Sequence, residues 1–197
     1  MADLMDLLQG QLGQTLIQGA AQHLGNDSNQ LQSAFQTAIP MLLGALKKNA
    51  SNPNTAQGLM QALQNKHDGS IFDQLQDIFG GGSVNSEVLE DGGKILGHVF
   101  GQKKEVVAMA VSKKAGVDTS TAMNVLQMAA PVVMGLIGKQ MRSNQVQEPG
   151  MLENLLSGFL SSVPAGDQEQ SFIERLIDQD NDGSIMDDLW NFGKKFF

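Results

Sequence analysis

The sequence predicts an all-α fold, an internally duplicated multi-helix bundle with proline-kinked core helices. Apolar residues recur at helical spacing nearly throughout the 197 residues, and no segment shows sustained alternation with β-branched enrichment. Two broad stripes stand out. Leu31, Ala34, Phe35, Ala38, Leu42, Ala45 and Leu46 mark one helix face; Ala122, Val125, Leu126, Ala129, Val133, Leu136 and Ile137 mark another, each 91 positions after its counterpart. The punctuation repeats at the same offset. Gly25-Asn26-Asp27-Ser28 faces Gly116-Val117-Asp118-Thr119, Pro40 faces Pro131, and Gly44 faces Gly135.

Taken in order, each half reads as helix, glycine turn, kinked helix, polar loop, short helix, Asp-Gly-Ser turn and terminal helix. Gly25 and Gly116 are placed to close a helix in the left-handed conformation. Asp27 or Ser28, and Asp118 or Thr119, are placed to cap the next one. Each proline removes a helical hydrogen bond, so the long helix is expected to kink or split there. Loops are expected at Ala50 to Asn54, around Pro53, and at Ser143 to Gly150, around Pro149. Asp68-Gly69-Ser70-Ile71-Phe72-Asp73-Gln74-Leu75 is echoed by Asp182-Gly183-Ser184-Ile185-Met186-Asp187-Asp188-Leu189, here 114 positions on. The second half therefore carries 114 − 91 = 23 extra residues, placed around Ser157 to Gln170. Gly80-Gly81-Gly82-Ser83 reads as the joint. The expected division is 1–80 as the first helical repeat, 81–84 as linker and 85–197 as the second repeat.

Composition narrows the function. There is no Cys, which removes disulfide frameworks, thiolate metal sites and cysteine nucleophiles. Thirteen basic residues against 21 acidic ones give a net charge of −8. That balance disfavours nucleic acid, whose binding rests on phosphate neutralisation. The pairs Lys47-Lys48, Lys103-Lys104, Lys113-Lys114 and Lys194-Lys195 are scattered and trace no phosphate track. The amino terminus, with Asp3 and Asp6, is acidic where a secretory signal would be basic. The longest nearly apolar stretch, Met128 to Gly138, is shorter than the about 20 residues a membrane span needs. A cytoplasmic protein without a membrane span is the expectation.

The residues Asp91-Gly92-Gly93-Lys94-Ile95-Leu96-Gly97-His98-Val99-Phe100-Gly101 lead into Ala115-Gly116-Val117-Asp118 and Ala129-Ala130-Pro131-Val132-Val133-Met134-Gly135. This series, closed by the Asp178 to Leu189 turn, resembles the YidB-like family of uncharacterised bacterial proteins, most strongly between Asp91 and Gly138. The resemblance implies an all-helical domain of small, homeodomain-like helical units. It carries no activity and no catalytic residues to transfer, and a fold alone does not fix a function.

One constellation has the pattern of an ion site. Asp178-Gln179-Asp180-Asn181-Asp182-Gly183-Ser184-Ile185 fits the opening of the calcium loop D-x-[DN]-x-[DN]-G. Asp178, Asp180 and Asp182 stand at alternate positions, Gly183 permits the sharp turn, and the Ser184 carbonyl can add an oxygen. Position 12, a bidentate Glu in such loops, is Leu189, and Asp187 or Asp188 would have to stand in. Five of the 21 acids fall between Asp178 and Asp188. Calcium or magnesium is the candidate cation; the competing reading is a solvated acidic turn. Ser184-Ile185-Met186-Asp187 and Ser70-Ile71-Phe72-Asp73 are both capping boxes, so the part shared by the two copies is structural. The first copy has Gln64 and Lys66 where Asp178 and Asp180 stand.

Catalytic constellations are absent from the pattern. His98 reads as a partly buried helix residue and His67 as exposed. No Ser-His-Asp order, phosphate loop or H-E-x-x-H spacing occurs. Met123, Met128, Met134 and Met141 read as core filler or as an adaptable contact surface. The aromatic end, Trp190 to Phe197, reads as a docked helix or as a peptide for a partner. The expectation is a non-enzymatic bacterial protein acting through a protein partner or as a homo-oligomer. A cation-responsive module comes second and a nucleic-acid-binding helical domain third.

Overall fold

Two aspartates and two glycines set the frame. Gly25 and Gly116 both take the left-handed conformation with φ of 69°, and their amides close the preceding helices onto Ala21 and Ser112 at 2.9 Å. Two residues later Asp27 accepts from the backbone amides of Asn29, at 2.8 Å, and Gln30, at 3.4 Å. Asp118 accepts from the Thr121 amide at 2.9 Å and from the hydroxyls of Ser120 and Thr121. Of the alternatives the sequence leaves open, the aspartates are therefore the caps. Those hydroxyls and the Thr121 amide hold the Asp118 carboxyl far below the usual carboxylate range.

The computed structural model describes residues 10–81 and 84–162, and among them every regular element is helical. In order these are α1 (Gln11–Leu24), α2 (Ser28–Ser51), α3 (Pro53–Asn65), a 3-10 turn (Ser70–Gln74) and α4 (Leu75–Phe79). After the joint come α5 (Ser86–Phe100), a 3-10 turn (Gly101–Lys103), α6 (Lys104–Ala115), α7 (Thr119–Ser143) and α8 (Pro149–Ser162). The predicted all-α class is the observed one.

All fourteen residues of the two stripes are buried, and α2 and α7 pack against each other at the centre. Burial extends well past the stripes. Ile39, Met41 and Leu43 on α2, and Met128, Val132 and Met134 on α7, are also inside, so each helix is enclosed on most of its circumference. Helix α7 is long and apolar enough to cross a bilayer by length and composition, yet 83% of that stretch is buried within the protein. Its apolarity is that of a core helix.

Neither long helix splits at its proline: Pro40 and Pro131 lie within unbroken helices, buried on all sides. Proline has no amide to give the carbonyl four residues earlier, which leaves Gln36 and Gln127 without their helical donors. The consequence at Gln127 is visible. Helix α5 crosses α7 so closely there that a Cβ on Gly92 would lie 1.9 Å from the Gln127 oxygen. A bare Cα packs against the carbonyl that Pro131 set free, the geometry of a Cα–H···O contact.

The short helices trade places across the centre. Helix α3 packs on α2 and also reaches α7, where a Cβ on Gly138 would meet the His67 carbonyl oxygen at 1.8 Å; α8 packs on α2. The turns are tied across as well. Gln30 donates to the Gly116 carbonyl at 3.2 Å, and the hydroxyl of Thr121, 91 positions after Gln30, lies 3.3 Å from Asn26 Oδ1. Residues from both sides of the joint enter one apolar cluster running from Leu16 to Phe159. The residue just past the joint, Val84, is buried and donates its amide to His23 Nδ1 at 3.2 Å.

Two local expectations are corrected. The Ala50–Asn54 loop shrinks to a single residue: α2 runs to Ser51, and Asn52 caps α3 by accepting from the Asn54 amide at 2.9 Å, with Pro53 at the first helical position. Ser70 does not cap its own turn. Gly69 precedes the 3-10 turn, and Asp68 accepts from the Ser70 amide at 3.0 Å. The aspartate has the stronger acceptor and sits two residues back, the spacing an Asx turn needs.

Candidate functional site

Among the described residues a concave groove lies between α3 and α8. Ala50, Ala56 and Met60 form an apolar floor, and Gln57, Gln61 and Gln64 form one wall. Gln147, Pro149, Gly150 and Glu153 close the other side of a groove of about 620 Å³. The three wall glutamines follow from helix geometry: residues four and seven apart project from the same face of α3, and all three are exposed. Met60 lies on the flank of that stripe turned to the core. Met151, beside the groove on α8, is one of three large apolar side chains left exposed among the described residues, with Leu12 and Met109.

Chemically the groove is amide-rich, with Glu153 the ionisable group in its lining. Each glutamine side chain offers a carbonyl acceptor and an NH₂ donor. Such a wall can match the donor and acceptor pattern of a polypeptide backbone. The stripe was readable in the sequence as Gln57, Gln61 and Gln64 at helical spacing. No local pattern shows that Gln147 and Glu153, some ninety residues away, face it.

A polar cluster sits where the turn after α3 meets α5 and α7. The His67 side chain keeps 10% of its exposure and its Nε2 lies 3.8 Å from Asp91 Oδ2. Next to it Asp68 pairs with the Arg142 guanidinium. The Ser70 amide, the Ser70 hydroxyl and Arg142 hold the Asp68 carboxyl down at about 2. His67 was expected to be exposed and His98 partly buried; the reverse holds, with His98 exposed on α5. Sequence distance is the reason, since α7 covers His67 by passing over its backbone at Gly138.

Burial pushes the His67 imidazole below its ordinary 6.5, Asp91 pulls it up, and Lys66 and Asp68 act in opposite senses with smaller weight. The unfolded chain therefore binds this proton more readily than the folded one. His67 contributes stability that is complete above pH 6.5 and is lost as the pH falls through its lowered folded value. His67→Gln should flatten the fall in unfolding free energy measured by urea titration from about pH 7.5 down to about pH 5. An unchanged slope in the variant would reject the assignment.

The other residues singled out by the sequence fare as follows. Asp178, Asp180, Asp182, Ser184 and Asp188 lie outside the described residues, as do Trp190 to Phe197. Among the described residues no three His, Asp or Glu side chains converge as a metal cluster would require. Met128, Met134 and Met141 are buried and Met123 partly so, which settles them as core filler; as a contact surface they are corrected, because α7 is enclosed.

Among curated proteins and among solved structures none matches this chain. Residues 6–140 match a family model described as a bacterial protein of unknown function, DUF937, covering the stretch from before α1 nearly to the end of α7. With the match spanning both central helices and their proline and glycine punctuation, the chain belongs to that bacterial family.

Proposed function

We propose that the protein works as a non-enzymatic interaction module that seats a polypeptide segment, of a partner or of a second copy, in the groove between α3 and α8. The observation that carries this reading is the composition of the groove: an Ala and Met floor under a wall of glutamine amides. Apolar floors supply the burial that drives association, and neutral amides fix the orientation of a backbone without demanding charge. The resemblance to the YidB-like family adds no activity to this reading.

The test is light scattering over a concentration series together with binding to an array of immobilised peptides. Wild type is compared with a Gln57→Glu, Gln61→Glu double variant. Both positions are exposed, so the variant folds and the wall becomes acidic. Association or peptide capture in the wild type should fall at least about tenfold in the variant, since desolvating a new charge at a contact costs on the order of 1–3 kcal/mol. A wild type that stays monomeric and captures no peptide, or a variant that behaves identically, removes the reading.

The D-x-D-x-D-G segment supports a second reading, cation binding by Asp178, Asp180 and Asp182. Three carboxylates at alternate positions repel one another unless a positive charge neutralises them. Calorimetric titration with millimolar Ca²⁺ should show heat that Asp180→Ala abolishes; no heat in the wild type ends this reading.

A further inference from the structure

Two copies of a chain with a net charge of −8 repel each other, so they meet most readily on a face without acids. Helix α3 offers one. Its thirteen residues, Pro53–Asn65, include no Asp, Glu, Lys or Arg, although charged residues make up 17% of the chain. The centres of protein interfaces are depleted of charge in the same way. Helix α1 also lacks all four, with Gln14, Gln18 and Gln22 exposed, but none of its residues lines the groove.

The exposed amides of α3 are arranged symmetrically. Asn54, Gln57, Gln61 and Gln64 are spaced by three, four and three residues, the same series read from either end. Steps of three and four keep all of them on one helix face. Each amide is donor and acceptor at once, which makes a row of amides its own complement. Turned end for end, a second α3 places its Gln64 opposite Asn54 and its Gln61 opposite Gln57. A contact in which each residue meets the other's counterpart is what a two-fold dimer requires. Antiparallel alignment also sets the positive end of each helix dipole beside the negative end of the other.

The groove supplies the rest of the contact. Ala56 and Met60 lie in its floor, and Met151 is exposed beside it on α8. A helix lying over the groove touches α3 on one side and α8 on the other, and the two-fold gives the first copy's α3 the same seat. With α3 roughly 20 Å long, the contact is at the small end for protein interfaces and therefore reversible.

We propose that the occupant of the groove is α3 of a second copy, antiparallel and related by a two-fold axis at the level of Leu59, so that each copy seats the other. The inference rests on the groove reading above and names its occupant.

The chain has no cysteine, so single cysteines on α3 are specific handles. In the full-length protein, an equimolar mixture of Asn54→Cys and Gln64→Cys should cross-link to a dimer with a short bismaleimide. Asn54→Cys alone should not, because its two copies lie roughly 15 Å apart along the paired helices. Both positions are exposed, so both variants fold. Raising the salt concentration should increase the dimer fraction seen by light scattering, since it screens the repulsion between the two chains. A fraction that falls with salt would overturn the proposal. Equal cross-linking of Asn54→Cys alone would mean a parallel pair, and species larger than a dimer an open, heterologous contact; either overturns it. No cross-link in the mixture, with peptides still captured by the immobilised array, would overturn it and leave the groove to a foreign segment. No cross-link and no capture would remove both readings.

Discussion

Phe35→Ala is expected to lower the free energy of unfolding by about 3–5 kcal/mol, the range for emptying a fully enclosed aromatic site. Phe35 has no exposed surface and lies on α2, which touches α1, α3, α6, α7 and α8. A void at that position has walls from several helices that also pack on one another, so none can move in alone to fill it. Leu126, the residue 91 positions on, is equally enclosed on α7, and the two sites belong to one core. Against a typical stability of about 5–15 kcal/mol, the loss is about a fifth or more of the total. Urea denaturation should show the midpoint falling with the slope unchanged. A loss below about 1 kcal/mol would show that the site collapses, and that this account of the core is wrong.

Gly92→Ala is expected to cost about 2–3 kcal/mol, although alanine is the better helix former. The added Cβ would fall 1.9 Å from the Gln127 oxygen, 2.6 Å from its carbonyl carbon and 2.9 Å from its Cα. All three are backbone atoms of a core helix and cannot rotate away. Helix α5 would have to lift from α7, its most extensive partner, uncovering Ile95, Leu96 and Phe100. Gly97→Ala on the same helix is the control: nothing lies within 4 Å of a Cβ there, and the substitution should stabilise by about 0.8–1 kcal/mol. Opposite signs for two identical substitutions five residues apart is the result sought, by chemical denaturation of both variants. If both change stability in the same direction, backbone approach at Gln127 is not what Gly92 provides.

The helical frame was legible because its signals are local. A stripe at period 3.6 and an aspartate two residues past a glycine each act within a turn or two of chain. For that reason Asp27, Asp118 and both stripes sit where the sequence places them. The errors have a common physical origin. His67 and His98 exchanged their expected exposures because burial depends on which element lands on a residue, and α7 lands on His67 from seventy residues away. Ser70 lost its capping role to Asp68, a closer and stronger acceptor. The methionines of α7 became core once α2, α5 and α6 surrounded that helix. The groove was half legible: the glutamine stripe of α3 could be read, and its opposite wall could not.

By itself the sequence determined the all-α class, the glycine turns at Gly25 and Gly116 and the two apolar stripes, since backbone hydrogen bonding and side-chain period are properties of short stretches. Only the tertiary structure decided that α2 and α7 form the shared centre, that α3 reaches across to α7 while α8 lies on α2, and that an amide-rich groove opens between α3 and α8. Those outcomes depend on contacts between residues about seventy or more positions apart. Such contacts form where two surfaces fit, and glycines at 92, 135 and 138 reveal their purpose only when another backbone or side chain arrives against them.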